Sequence, residues 1–311
     1  MTESERVAPG SSWVTVQFVL VGVVWGSSFL FMKVGLEAVS PGQLVWARLV
    51  LGALTLGVVM LVRRERLPRA IRLWGHLLVI ALTFCVAPFL LFAWAQQYVS
   101  SGLGSIYNAT TPIMAAVMAG AVFRVEKLRA GQLAGVALGI VGVIVIVAPW
   151  QGLDLQQSVP AQMAMLAATA CYGFSFAYMR KFVSNSGVSP LVFSFMNIGL
   201  AAAVMILLTP LLAVEPISLA AGPILAILAL GALGTGVAYI WNQTTVRAWG
   251  PTRASTVTYL TPMVGVALGV LILHESVSWN EPVGGLVVIL GILLAQDRIR
   301  TRRRGVDRLV E

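Results

Sequence analysis

Two short stretches carry the chemistry available to this chain. WGSSFLFMK places Trp25, Ser28, Phe29 and Met32 at i, i+3, i+4 and i+7, the spacing of one helical face. The pattern returns 147 positions later as YGFSFAYMR, with Tyr172, Ser175, Phe176 and Met179, and with Arg180 in the place of Lys33. An aromatic ring followed by a small hydroxyl suits reversible recognition of a small organic molecule: the ring stacks and the hydroxyl orients. The same face also suits helix packing, where serine lets backbones approach. Asn108, Thr111, Thr258, Tyr259 and Thr261 extend the polar set. Thr111 and Thr261 each stand beside a proline and can instead satisfy freed backbone groups, which leaves Asn108 and Tyr259 as the better candidates. Tyr239, Trp241, Asn242 and Gln243, with Trp94, Gln96 and Gln97, lie nearer the ends of their segments and read as gates or as interfacial anchors.

Arg48 is the one charge well inside an apolar segment. An arginine at the bilayer centre costs at least ~2.5 kcal/mol, which suggests a counter-ion for a substrate carboxylate. Its position about two turns from a segment end favours a side chain that snorkels to the headgroups. No acidic residue lies at mid-segment, and His76 and His274 are near segment ends. This argues against a buried proton relay and toward a uniporter or facilitator, with coupling through Glu126 or Glu275 as the alternative to their plainer role as helix caps. Neither a hydrolytic constellation nor a metal set can be assembled, so no catalytic residue, metal or cofactor is expected.

These residues must be held by membrane helices. Of the 311 residues, 58% are hydrophobic and 11% charged, against about 25% charged in soluble domains. The formal charge of +9 is gathered in short blocks between apolar runs, a placement that membrane topology produces and that gives no support to a nucleic-acid partner. The polar N-terminus lacks the features of a cleaved signal. Cys85 and Cys171 lie in apolar segments and read as buried structural thiols. Windows of about 20 apolar residues predict ten spans, at 13–34, 42–62, 73–97, 101–123, 130–149, 161–182, 190–210, 219–243, 251–273 and 282–297. Trp13, Trp46, Trp74, Trp150, Trp249 and Trp279 fall at their ends as an aromatic belt.

Alternate joints are cationic. Arg63, Arg64, Arg66, Arg69 and Arg72 follow span 2, Arg124, Lys127 and Arg129 follow span 4, Arg180 and Lys181 follow span 6, and Arg247 and Arg253 flank the joint after span 8. The tail at 298–311 is basic too. The other joints hold Glu37, Asp154, Glu215, Glu275 and Glu281. This places the cationic joints and both termini in the cytoplasm.

Thr111-Pro112 matches Thr261-Pro262 at an offset of 150, and Glu126, Gly135 and Gly142 match Glu275, Gly284 and Gly291 at 149. The chain thus divides into repeats at 13–149 and 161–297. Five spans per repeat is an odd number, so the second copy must enter the membrane from the opposite side. The fold expected is all-α and integral to the membrane, ten helices as two inverted five-helix repeats around a central cavity. Inverted repeats hold their sites near the midplane, between copies and at broken helices. The candidate breaks and gates are Pro88, Pro112, Gly234, Gly236 and Pro262.

WGSSFLFMK, the paired Thr-Pro spans and a glutamate before spans 5 and 10 resemble the drug/metabolite transporter superfamily, specifically its ten-span branch with two tandem EamA domains. The glutamate follows Val125 and His274 here, where the family usually has glycine. The resemblance implies that spans 1, 3, 4, 6, 8 and 9 line a cavity and that a small-molecule substrate is exported across the cytoplasmic membrane, an amino acid, another metabolite or a drug. A non-transporting membrane sensor or assembly protein is the alternative, and an integral-membrane enzyme the remoter one. In a cysteine-free background, single cysteines at positions 66 and 215 should label with an impermeant maleimide from opposite sides of the membrane. Labelling from one side would dismantle the inverted reading.

Overall fold

A computed structural model describes residues 12–125, 130–151, 158–184, 186–212, 215–249 and 254–295. The expectations placed on Glu126, Lys127, Arg129, Asp154, Arg253 and the 298–311 tail lie outside the described residues. All regular structure among the described residues is helical. In hydrocarbon the backbone must satisfy its own polar groups, and a helix does so within each segment. The helices are α1 (Ser12–Gly35), α2 (Pro41–Val62), α3 (Ile71–Ala81), α4 (Ala87–Ala95), α5 (Ser101–Asn108), α6 (Thr111–Val117), α7 (Ala130–Val147), α8 (Ser158–Phe182), α9 (Pro190–Leu207), α10 (Thr209–Leu212), α11 (Ala221–Leu228), α12 (Ala238–Trp249), α13 (Leu260–Leu273) and α14 (Asn280–Ala295).

Matching residues start matching helices. Ser40 caps α2 through the Gln43 backbone N–H, and Ser189 caps α9 through that of Val192. Each cap is followed by a proline in the first turn, where its missing N–H has no partner to lose. The broken segments fall where glycine and proline predict them. A π-helical stretch, Leu82–Val86, joins α3 to α4, and a longer one, Ala229–Val237, joins α11 to α12. Pro88 stands in the first turn of α4, and Gly234 and Gly236 lie within the second π-helical stretch. Pro112 begins α6 just after a break at 109–110, and Pro262 lies in the first turn of α13, which follows a 3₁₀ stretch, Ser255–Tyr259.

Seven helical stretches among the described residues are long and apolar enough to cross a membrane. The expected spans at 101–123, 161–182 and 282–297 are not among them, each for a visible reason. The first is divided into α5 and α6, and α14 is 16 residues long. The 25-residue α8 interrupts its apolar run with the buried Gln162, Thr169 and Ser175.

The helices of one half pack chiefly against the other half. Helix α1 runs antiparallel to α11 and α12: Phe18 meets Trp249, Trp25 meets Tyr239, and Gly35 faces Ile227. It runs parallel to α13, with Gly22 against Leu260 and Gly26 against Val264. Helix α8 repeats both relations, antiparallel to α3–α4 through His76–Phe182 and Phe84–Tyr172, and parallel to α5–α6 through Tyr107–Gln162 and Gly173–Met114. Helices α2 and α9 cross antiparallel, with Gly57 against Phe195, Gly52 against Ile198 and Gly42 against Leu212.

The tightest pair is α7 with α14. A Cβ added to Gly142 would stand 2.8 Å from the Gly284 carbonyl oxygen, and one on Gly284 would stand 2.7 Å from that of Gly142. Gly135 and Gly291 face each other in the same way, so these two helices are also antiparallel. Asn280 Nδ2 adds a 2.7 Å hydrogen bond to the Ile146 carbonyl. Small residues allow the backbone contact that holds helices together in lipid. Gly142→Leu should destabilise the fold by about 1–3 kcal/mol through overpacking. Gly199→Leu, where a side chain would enter open space, should leave melting in detergent nearly unchanged.

Candidate functional site

Between the two halves, a cavity with an empty volume of about 880 Å³, part of it open to solvent, lies among α1, α2, α4, α8, α12 and the Thr-Pro segments. The whole face expected on α1 reaches it: Trp25, Ser28, Phe29 and Met32. From the second copy Tyr172 and Phe176 line it, and so do Tyr239, Asn108, Thr111, Thr258 and Thr261.

The aromatic groups form a continuous wall. Tyr239 meets Trp25 edge-on with centroids 5.9 Å apart, and Trp25 Nε1 donates to the Gly234 carbonyl at 3.2 Å. One turn along α1 a second run begins, in which Phe29, Phe92, Tyr172 and Phe84 follow one another at 5.8, 6.3 and 5.3 Å. Phe84 occupies the place, 150 positions earlier, that Gly234 has beside Trp25. One half thus offers a carbonyl to the ring where the other offers a second ring.

Phe84, Phe89 and Phe92 are lining residues that helical periodicity does not find. Phe84 lies within the π-helical stretch and Phe89 just beyond it, and its wider turn brings residues five apart onto one face. The alignment of Phe89 with Tyr239 at the repeat offset is the signal that could have revealed it.

The polar groups divide into those already engaged and those available. Thr111 Oγ1 donates to the Asn108 carbonyl at 2.7 Å, and Thr261 Oγ1 donates to that of Thr258 at 3.0 Å, the same local bond in both halves. The Ser28 hydroxyl donates to Val24. The Asn108 carboxamide and the Tyr172 and Tyr239 hydroxyls make no hydrogen bond among the described residues, and none of them is sealed from solvent.

Four expectations are corrected. Arg48 does not snorkel: it is buried, its Nε donates to Thr235 Oγ1 at 3.0 Å, and its guanidinium carbon lies 3.7 Å from the centre of the Phe89 ring. The π-helical turn supplies that hydroxyl at the depth of the arginine, so the side chain is held at the cavity wall. Ser175 is fully buried away from the cavity, sharing a 2.5 Å hydrogen bond with Thr83 Oγ1. Tyr259 packs against the core on its 3₁₀ turn and is not among the lining residues. Gln96 is no interfacial anchor: it is fully buried and donates from Nε2 to the Phe29 carbonyl.

Several further contacts join the two halves, and Lys33 ties α1 to the end of α4. The Glu275 carboxylate accepts from Ser101 N at 2.7 Å, Ser101 Oγ at 2.9 Å and Gly102 N at 3.2 Å. It therefore caps α5, not the helix that follows it in sequence. Lys33 Nζ donates to the Gln96 and Val99 carbonyls at the end of α4, at 2.6 and 2.9 Å. Gln43 Nε2 donates to the Glu215 carbonyl, and Ser218 N to that of Ala38.

The helices and the cavity between them define a multi-pass membrane protein with a solvent-reaching chamber at the seam of two similar units. The family model of the EamA-like transporter family matches residues 12–148 and again 159–296, and the chain belongs to that family of membrane transporters. A "Probable amino-acid metabolite efflux pump" of Salmonella typhimurium is 28% identical, with 91% of this chain and 95% of that protein aligned. A "Probable terminal-alkyne amino-acid exporter" of Streptantibioticus cattleyicolor is 27% identical, covering 92% and 94%. A solved structure described as "Crystal structure of protein" shares the fold, with a TM-score of 0.63 at 20% identity over 92% of this chain and 98% of that one.

Proposed function

We propose that this transporter is an exporter of small organic metabolites that works by alternating access between two inverted five-helix repeats, ten spans in all, in the cytoplasmic membrane with both termini inside. The observation that carries the reading is the cavity itself, lined by the equivalent residues Trp25 and Tyr172 from the two copies. Equivalent helices running antiparallel, α7 with α14 and α2 with α9, support inversion, because an inverted copy reverses each helix relative to its counterpart. The relatives named as an efflux pump and an exporter support the outward direction. The distribution of arginine supports the orientation.

On that orientation the contacts of Glu275, Lys33 and Gln43 lie outside, and they close the external path. Exchange between states has to break them and form counterparts on the other face. The matched π-helical stretches, Leu82–Val86 and Ala229–Val237, are where α3–α4 and α11–α12 bend as that happens.

Trp25→Ala and Tyr172→Ala, purified and reconstituted in liposomes, should each lower solute flux at least ~10-fold, about 1.4 kcal/mol of binding or barrier, while reaching the membrane in normal amounts. Wild-type flux in both would remove the chamber from the transport path. Glu275→Gln weakens the charge-assisted cap of α5, an interaction of about 1.5–3 kcal/mol. A cysteine at position 32 should then react severalfold faster with an external impermeant maleimide. An unchanged rate would show that Glu275 does not hold the outer side shut.

A further inference from the structure

Arg48 is the only charged residue among the described residues that line the cavity. Its Nε is committed to Thr235 and its flat face to Phe89. The two terminal nitrogens make no hydrogen bond among the described residues, and neither is sealed from solvent. No carboxylate among the described residues lines the cavity, and the titratable groups around the guanidinium are Tyr172, Tyr239 and Cys85. A buried guanidinium without a counter-ion is unfavourable by itself and becomes favourable when an anion arrives. Two amino groups of the guanidinium thus remain free, and such a pair is what a carboxylate takes as a bidentate partner.

The duplication sharpens the point. At the repeat offsets of 149 and 150, Arg48 and Thr235 correspond to Asn197 and Cys85. That second pair is also in contact: Asn197 Nδ2 donates to Cys85 Sγ at 3.4 Å. The same junction between a second helix and a π-helical stretch is therefore charged in one copy and neutral in the other. The pair in the neutral copy is buried and absent from the cavity lining. The chamber has one cationic corner, and an aromatic wall in two runs, one from Tyr239 to Trp25 and the other from Phe84 to Phe92.

We infer that the cavity selects solutes with a carboxylate and an apolar or aromatic body but no free ammonium group, with Arg48 as the carboxylate's partner and Thr235 as the residue that positions it. An ammonium group entering beside Arg48 meets a like charge, and no acid among the lining residues receives it. Aromatic faces attract cations, but the Phe89 face is already occupied by the guanidinium. Free amino acids are weaker ligands than their N-acylated or deaminated counterparts, and organic cations are weakest. This rests on the carrier reading above and adds the charge class of its solute.

The test uses the full chain in lipid nanodiscs and three probes that share one ring and one carbon frame: N-acetyl-L-phenylalanine, L-phenylalanine and L-phenylalaninamide, titrated calorimetrically where the amide is a cation. The N-acetyl acid should bind at least ~10-fold more tightly than the amide, with the free amino acid between them. Arg48→Met should bring all three within about 3-fold, and Arg48→Lys, which keeps the charge but loses the fork, should retain part of the preference. Thr235→Val removes the anchor without touching the charge, and should weaken the acid severalfold while leaving the amide unchanged. It serves as the deciding variant if Arg48→Met does not fold. Equal or tighter binding of the amide by the wild type would overturn the inference. So would an unaltered preference in an Arg48→Met protein that melts like the wild type, or in Thr235→Val where that protein does not fold. Failure of all three probes to bind overturns it as well, while flux of another solute in the liposome assay would leave the carrier reading standing.

Discussion

In lipid, helices gain nothing by hiding apolar surface from one another, so they adhere where their backbones can touch. Here those places are glycines that face the opposite half. Gly135 and Gly142 on α7 meet Gly291 and Gly284 on α14, Gly22 and Gly26 on α1 meet α13, and Gly173 on α8 meets α6. Each half is thereby built onto the other, and neither buries these small-residue faces alone. The chamber lies between the halves that these contacts join, lined by aromatic residues of α1, α4, α8 and α12.

The π-helical stretches convert that scaffold into a site. A turn of five residues in place of four shifts the register of everything beyond it and frees backbone carbonyls from the usual ladder. In the second half the stretch gives the Gly234 carbonyl to Trp25 and the Thr235 hydroxyl to Arg48. In the first half it turns Phe84 and Phe89 toward the same space. Local helical irregularity, which is costly in a membrane unless neighbours satisfy the freed groups, appears where the Trp25 indole N–H donates to the Gly234 carbonyl and the Thr235 hydroxyl to that of Leu230.

Duplication supplies the frame and divergence the chemistry. The threonines that precede proline make the same bond to the carbonyl three residues back in both copies, at Thr111 and Thr261. Trp25 and Tyr172 hold equivalent places with different neighbours. Arg48 and Asn197 hold equivalent places with different charge. The frame is shared by the two halves, and the lining of the chamber is not. Membership in the EamA-like transporter family covers both halves of that frame.

Helix placement, the internal repeat and the residues of the α1 face were legible in the sequence, because a long apolar run, a repeated motif and a helical period are local properties. The breaks were legible too, since proline and glycine act on their own backbone at Pro88, Pro112 and Gly234. What only the tertiary structure decided is which polar side chains reach the chamber. Arg48 sits at a depth from which it could extend to headgroups, and its direction was settled by a hydroxyl 187 residues away in sequence. Ser175 matches Ser28 in its local motif yet turns to Thr83, and Phe89 joins the wall only because a wide turn changed its phase. Those outcomes depend on which neighbours stand within hydrogen-bonding or van der Waals reach, and a pattern along one segment carries no record of the segment packed across from it.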